Sequence, residues 1–178
     1  MQKEYRNRRS RNIQSKRQRE EKTPLLDIYS VFKFIMIWLV LSLAAFGVKK
    51  IVMMALSASP TGKVGNGVLT LYEVHNTGAA FNLFAGQQEM IITASFFAVA
   101  IISFILIVTS TKQSGSAISA MSALCAGITM NMIERINLGY VIDYIYCEFA
   151  PSIPMFNVPD IYIVVGAIGL ILSVLTRK

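Results

Sequence analysis

Residues 90–110 contain no charged side chain, and this segment restricts the fold more than any other part of the chain. A helix needs about 20 consecutive apolar residues to cross the hydrocarbon core of a bilayer. Another long apolar segment occupies residues 29–48 and, after two lysines, continues over residues 51–58. Two further apolar segments occupy residues 117–133 and 161–175. The sequence therefore predicts an all-α membrane protein with four transmembrane helices.

The composition agrees with a membrane protein. Of the 178 residues, 54% are hydrophobic and 15% are charged, whereas soluble domains average about 45–50% and about 25%. Nine of the 17 lysines and arginines lie between Lys3 and Lys22. The net charge of +7 is therefore largely local, and the scattered basic residues elsewhere do not favour nucleic-acid binding. Cys125 and Cys147 allow one disulfide at most and lack the spacing of a structural zinc site.

The positions of the basic residues predict the orientation, because lysine and arginine concentrate on the cytoplasmic side of a membrane protein. Residues 1–28 are predicted to form a basic, disordered cytoplasmic tail, and residues 29–178 a membrane domain. Lys112 follows the second apolar segment, and the sequence ends on two basic residues. Both termini are therefore expected in the cytoplasm, with connections 59–89 and 134–160 on the extracytoplasmic side of a cell membrane.

The first extracytoplasmic connection contains a short β-like segment. Residues 68–74 are rich in β-branched and apolar side chains, which favours a strand at the membrane surface. Residues 75–81 follow as a polar turn. The amide of Asn76 could bind a peptide backbone as donor and as acceptor. A surface position is the favoured interpretation for His75.

Two carboxylates in apolar surroundings are the candidate catalytic groups. Asp143 and Asp160 both lie in the second extracytoplasmic connection or at its edge. Two carboxylates in a low-dielectric site share a proton and titrate as a unit, and such a pair can hydrolyse a peptide bond. The alternative is that Asp143 is a loop carboxylate and Asp160 is stabilised by a helix dipole.

Asn131 and Arg135 are spaced four residues apart and would share one face if the third helix continues through them. They could then bind a substrate or hold the carboxylates. In the alternative interpretation, Arg135 snorkels to the headgroups from a helix end. Lys49 and Lys50 are interpreted as interfacial lysines of this snorkelling kind, without a further role.

Four ordered motifs resemble those of one protein family. Residues 76–81, NTGAAF, are similar to an Asn-x-Gly-Ala-Ala-Phe box, and residues 131–135, NMIER, to an Asn-x-x-Asp-Arg box. Residues 139–144, GYVIDY, resemble Gly-x-Val-Val-Asp-Phe, and residues 156–160, FNVPD, resemble Phe-Asn-x-Ala-Asp. Over residues 29–175 the chain resembles the lipoprotein signal peptidases, the signal peptidase II family of bacterial intramembrane aspartic proteases.

This resemblance implies a function and a set of site residues. The implied reaction is hydrolysis of the signal peptide of diacylglyceryl-modified prolipoproteins, on the N-terminal side of the lipidated cysteine, by an aspartate dyad and water. The dyad would be Asp143 and Asp160. The implied substrate-binding or dyad-orienting residues are Asn76, Asn131, Arg135 and Asn157. We expect a monomer that needs neither a metal nor a nucleotide, with a basic tail that binds anionic lipid headgroups.

The chain also departs from the family pattern at supporting positions. The differences are Glu134 in place of Asp, Pro159 in place of Ala, Ala126 and Met130 in place of Gly, and Phe46 in place of a first-helix Asp whose pattern retains only Lys50. They leave open a catalytically impaired paralogue that binds lipoproteins or lipids in the membrane. A small transporter or channel subunit is a further alternative.

Overall fold

The computed structural model describes residues 26–79 and 83–176, together with Arg6, Arg8 and Arg9. Most of the basic tail, the end of the NTGAAF box and the last two basic residues lie outside the described residues. The disorder predicted for residues 1–28 therefore stays a prediction.

Four helices within the described residues are long and apolar enough to cross a membrane. They are α1 (Ile28–Ala58), α2 (Gln88–Thr109), α3 (Gly115–Leu138) and α4 (Val158–Leu175). Each predicted segment lies within one of them, except that Ser110, the last residue of the second segment, begins a short 3₁₀ turn at Ser110–Lys112. The prediction of four membrane helices is confirmed, and α1 continues through its two lysines without a break.

Helix α3 occupies the centre of the bundle. In its most apolar 18-residue stretch, 56% is buried inside the protein, compared with 11% in the corresponding stretch of each of the other three helices. Its small residues, among them Ala117, Ala120 and Ala126, allow neighbouring helices to approach closely. A methyl group added at Gly127 would lie 2.7 Å from Ile163 of α4, so this glycine sets the separation between α3 and α4.

Helix α3 ends later than the sequence predicted, and this difference matters for the site. It continues to Leu138 and stops at Gly139, whose φ of 80° is readily adopted by glycine. The Gly139 N–H caps the helix by donating to the carbonyl of Arg135 at 2.9 Å. Asn131 and Arg135 are thus both helical and lie on the same face.

A three-stranded antiparallel sheet stands at one end of the bundle. Its strands are β1 (Val64–Gly65), β2 (Leu69–Asn76) and β3 (Val141–Cys147), in that order. Strand β2 corresponds to the predicted strand and extends it to Asn76. Strand β3 was not predicted as a strand, because its first four residues are all buried and show no polar–apolar alternation.

Candidate active site

The six predicted site residues lie in one cluster beside a cavity of about 1030 Å³. Strand pairing sets Val74 opposite Asp143 and Asn76 opposite Val141, which brings the ends of β2 and β3 together. The last turns of α3 and the first turn of α4 complete the cluster. Its members are Asn76, Asn131, Arg135, Asp143, Asn157 and Asp160.

Asp143 is a strand residue rather than a loop carboxylate and is only 3% exposed. Its Oδ1 accepts a hydrogen bond from Asn157 Nδ2 at 3.0 Å, and its Oδ2 accepts one from Asn76 Nδ2 at 2.9 Å. Burial raises the pKa of Asp143 to about 6, against the lowering effect of the Asn76 hydrogen bond, and nearby Asp160 raises it further. The carboxyl group therefore titrates near pH 6.

Asp160 is held by the start of α4. Its Oδ2 accepts from the backbone N–H of Asn157 at 3.0 Å, while the Asp160 N–H donates to Asn157 Oδ1 at 2.9 Å, which completes a capping box. Asn131 Nδ2 donates to the other carboxylate oxygen, Oδ1, at 2.7 Å. Asp160 is thus both a helix-capping residue and a member of the cluster.

The amide orientation of each asparagine is set by a second hydrogen bond. Asn76 Oδ1 accepts from the Gly78 N–H at 2.9 Å, and Asn131 Oδ1 accepts from Asn157 Nδ2 at 3.1 Å. Because the amide oxygens already accept hydrogen bonds, the NH₂ groups point towards the carboxylates. A chain of hydrogen bonds therefore runs from Asp143 through Asn157 and Asn131 to Asp160.

Arg135 is buried, with 7% of its surface exposed, so the interpretation that it snorkels to the headgroups is wrong. Its Nη2 donates to the carbonyl of Gly78 at 2.6 Å and its Nη1 to the carbonyl of Asn131 at 3.3 Å. The buried Nε has no hydrogen-bond partner among the described residues, and Arg135 lines the cavity. The guanidinium carries further N–H donors at this cavity, and such donors can bind a peptide carbonyl.

The structure agrees with the surface interpretation of His75, whose side chain is 50% exposed. Its ring stacks on Tyr140 with ring centroids 4.0 Å apart, and its Nε2 lies 2.8 Å from Glu73 Oε1. No group of three or more histidine, cysteine, aspartate or glutamate residues that could hold a metal occurs in the described part of the chain.

Sequence reasoning missed one ion pair next to the cluster. Lys49 Nζ lies 2.8 Å from Glu134 Oε2, and the same oxygen accepts the Ile142 N–H at 2.9 Å. The signal was present, because a lysine within an apolar helix requires a partner when it does not reach the headgroups. The interpretation of Lys49 as a snorkelling lysine is therefore wrong, because its ammonium group pairs with Glu134 inside the bundle.

Comparison with known proteins places these features in a family. Residues 20–176 match the family model described as signal peptidase (SPase) II. The chain is 35% identical to a lipoprotein signal peptidase of Dehalococcoides mccartyi over 126 residues, covering 69% of this chain and 77% of the relative. A lipoprotein signal peptidase of Halothermothrix orenii is also 35% identical over 126 residues, covering 70% and 83%.

Two solved structures of bacterial membrane enzymes share the fold. One has a TM-score of 0.70 at 20% identity and covers 88% of this chain and 100% of its own. The other has a TM-score of 0.69 at 22% identity and covers 80% and 87%. With four apolar helices and a match to the family model over nearly its whole length, the chain is a multi-pass membrane protein that belongs to the signal peptidase II family.

Proposed function

We propose that this chain is a lipoprotein signal peptidase that cuts diacylglyceryl-modified prolipoproteins immediately before the lipidated cysteine. The observation that carries the proposal is the asparagine-linked pair of carboxylates, the buried Asp143 and the partly buried Asp160, beside an apolar cavity. Family membership supports peptide hydrolysis, and the names of the relatives support a lipoprotein substrate.

The two aspartates act as general base and general acid. The ionised carboxylate takes a proton from water, whose oxygen attacks the scissile carbonyl carbon, while the protonated carboxyl group donates its proton to the carbonyl oxygen. When the tetrahedral intermediate collapses, the C–N bond breaks, and the carboxyl group that took the proton from water gives it to the leaving amine of the new N-terminal cysteine. A hydroxyl group of the intermediate returns its proton to the other aspartate, which restores the dyad. No acyl-enzyme forms, and the reaction needs neither a metal nor a nucleotide.

The surrounding polar groups position the dyad and the substrate. Asn157 and Asn131 hold the carboxylates through the hydrogen bonds described above, so that little reorganisation is needed during the reaction. Asn76 fixes the second oxygen of Asp143. Arg135 lines the cavity, where its guanidinium is suited to bind a carbonyl of the extended signal peptide.

The cavity walls suit an apolar signal peptide. Apolar side chains of α2 and α4, including Ile91, Ile161 and Val164, line the cavity together with the dyad. The acyl chains of the substrate would remain in the lipid while the scissile bond enters between the helices. We place the dyad on the extracytoplasmic side, with both termini in the cytoplasm, because of the basic residues at the other helix ends.

The enzyme acts as a monomer, and the basic tail at residues 1–28 holds anionic headgroups at roughly 1 kcal/mol per basic residue near the surface. Deleting residues 1–25 should weaken binding of the detergent-purified protein to anionic vesicles more than to neutral ones. If the deletion changed binding to anionic and neutral vesicles by the same amount, the proposed lipid-binding role of the tail would be contradicted.

The direct test is cleavage by the purified protein in lipid bilayers. The enzyme is incubated separately with a prolipoprotein that carries the diacylglyceryl group and with the same prolipoprotein without it. The masses of the products are then determined by mass spectrometry. We expect one cut, before the lipidated cysteine, in the modified substrate only. Binding of the modified substrate without any cut would instead support the impaired paralogue, and a cut elsewhere would contradict the proposed substrate.

A further inference from the structure

The ion pair between Lys49 and Glu134 joins two transmembrane helices next to the strand that carries Asp143. Lys49 lies on α1 and Glu134 on α3, with their charged atoms 2.8 Å apart. The side chains are only 19% and 10% exposed, so water screens the pair weakly. Removing one partner would leave the other charge buried without compensation.

Glu134 also reaches the backbone next to the first aspartate. Its Oε2 accepts the N–H of Ile142 at 2.9 Å, and Ile142 directly precedes Asp143 in β3. A single oxygen atom thus links α1, α3 and β3. The position of the Glu134 side chain therefore helps set the position from which Asp143 enters the site.

The same carboxylate acts on the dyad electrostatically. Among the charges that influence Asp143, those of Asp160 and Glu134 raise its pKa and that of Arg135 lowers it. On α1, Lys49 pairs with Glu134. On β2, the strand that pairs with β3, the ionisable side chains Glu73 and His75 pair with each other. Because Lys49 offsets the charge of Glu134, losing the lysine exposes Asp143 to a stronger negative potential.

We propose that Lys49 and Glu134 are a positioning pair for the catalytic dyad: Glu134 anchors the strand that carries Asp143, and Lys49 holds and neutralises Glu134. This inference rests on the proposed peptidase function. Neither residue touches the substrate in this account, and both act through Asp143. The neighbouring Lys50 is exposed, with its ammonium 5.6 Å from the Phe46 ring, and has no part in the pair.

The test compares Lys49→Met, Glu134→Gln, the double variant and the matched control Lys50→Met by cleavage kinetics across a pH range. Lys49→Met should lower kcat on the order of tenfold or more with KM nearly unchanged, and should move the acidic limb of the pH profile upward by about half a unit. Glu134→Gln keeps an acceptor for the Ile142 N–H and should move the limb downward.

The double variant provides the sharpest readout. Lys49→Met leaves the Glu134 carboxylate without its counter-charge, and the double variant removes that carboxylate. It should recover most of the kcat lost in Lys49→Met, and Lys50→Met should behave as wild type. Wild-type kcat and pH limb in both Lys49→Met and Glu134→Gln would overturn the proposal, as would a double variant no better than Lys49→Met.

Two further variants keep these outcomes interpretable. If Lys49→Met does not fold, two other variants test the proposal. Glu134→Gln should move the acidic limb of the pH profile downward, and Lys49→Arg, which keeps the positive charge, should retain the wild-type kcat. Asp143→Asn separates the two proposals: if it cleaves normally, the peptidase mechanism fails. If it is inactive while the Lys49 and Glu134 variants match wild type, only the positioning pair fails.

Discussion

The side-chain amide of Asn157, the residue that caps the start of α4, donates to Asp143 Oδ1 in strand β3 at 3.0 Å. The same residue exchanges two hydrogen bonds with Asp160 at the start of α4. Asn157 is 1% exposed. One buried asparagine therefore caps a transmembrane helix and fixes both carboxylates, so helix initiation and active-site geometry depend on the same side chain.

Asn157→Asp separates these two roles. Aspartate keeps an oxygen that can accept the Asp160 N–H and so preserves the cap, but it loses the donor to Asp143 and adds a third carboxylate. We expect cleavage to fall about 100-fold or more, while the added buried carboxylate lowers the melting temperature at neutral pH and less so at acidic pH, where it is protonated. Asn157→Ala should lose activity and also the cap, at a cost of about 1 kcal/mol.

Parallel measurement of cleavage rate and thermal stability checks this prediction. Wild-type cleavage by Asn157→Asp would show that the donated hydrogen bond to Asp143 is not needed.

The four membrane helices were predictable from the sequence because apolar segments of sufficient length have few other uses. The end of α3 was not, since residues 134–138 include a glutamate and an arginine whose burial depends on partners distant in sequence. Strand β3 was missed for a related reason. It is buried by β2 and α3, so no alternation marks it.

The residues of the candidate site could be selected from motifs, whereas their connections could not. No spacing rule indicates that Asn157 contacts both Asp143 and Asn131, because these contacts depend on how α3, α4 and β3 pack. Lys49 illustrates the same limit. Its distinction from Lys50 depends on the rotation of α1 about its axis, which sets one lysine towards Glu134.

The titration of Asp143 should be visible in the stability of the protein. Its folded pKa of about 6 lies above the ordinary value of 3.8. The native state therefore binds this proton more tightly than the unfolded state, so the free energy of unfolding should fall as the pH rises from about 4 to about 6. The contribution is about 3 kcal/mol, complete at the acidic end of this range and lost above it.

Unfolding in mixed micelles across this pH range measures the effect, with Asp143→Asn as the comparison. The variant lacks the titrating group, so the difference between the two curves should change between pH values of about 4 and about 6. A constant difference would show that Asp143 has an ordinary pKa in the folded protein.

Gly127 is predicted to be essential for the approach of α3 to α4. An added methyl group would lie against the Pro159 carbonyl and 2.7 Å from Ile163 Cγ1. Gly127→Ala should therefore cost about 1–3 kcal/mol through overpacking and lower activity, because Pro159 directly precedes Asp160. Gly47→Ala is the matched control, since nothing lies within 4 Å of its added methyl group.

Thermal melting and cleavage rates of the two variants check the contact. Alanine favours a helix over glycine by up to about 1 kcal/mol, so Gly47→Ala should match or exceed wild-type stability. Equal behaviour of the two variants would contradict the close approach at Gly127.

In the proposed mechanism, Asp143 and Asp160 together carry out the hydrolysis. The most direct measurement is single-turnover cleavage of a diacylglyceryl-modified prolipoprotein in bilayers by wild type, Asp143→Asn and Asp160→Asn. Glu148→Gln serves as the control, because this carboxylate is exposed and binds only the Thr70 hydroxyl among the hydrogen bonds seen. We predict that each aspartate variant binds the substrate but cleaves at least about 10⁴-fold more slowly, while Glu148→Gln cleaves as wild type. Substantial cleavage by either aspartate variant would contradict the dyad.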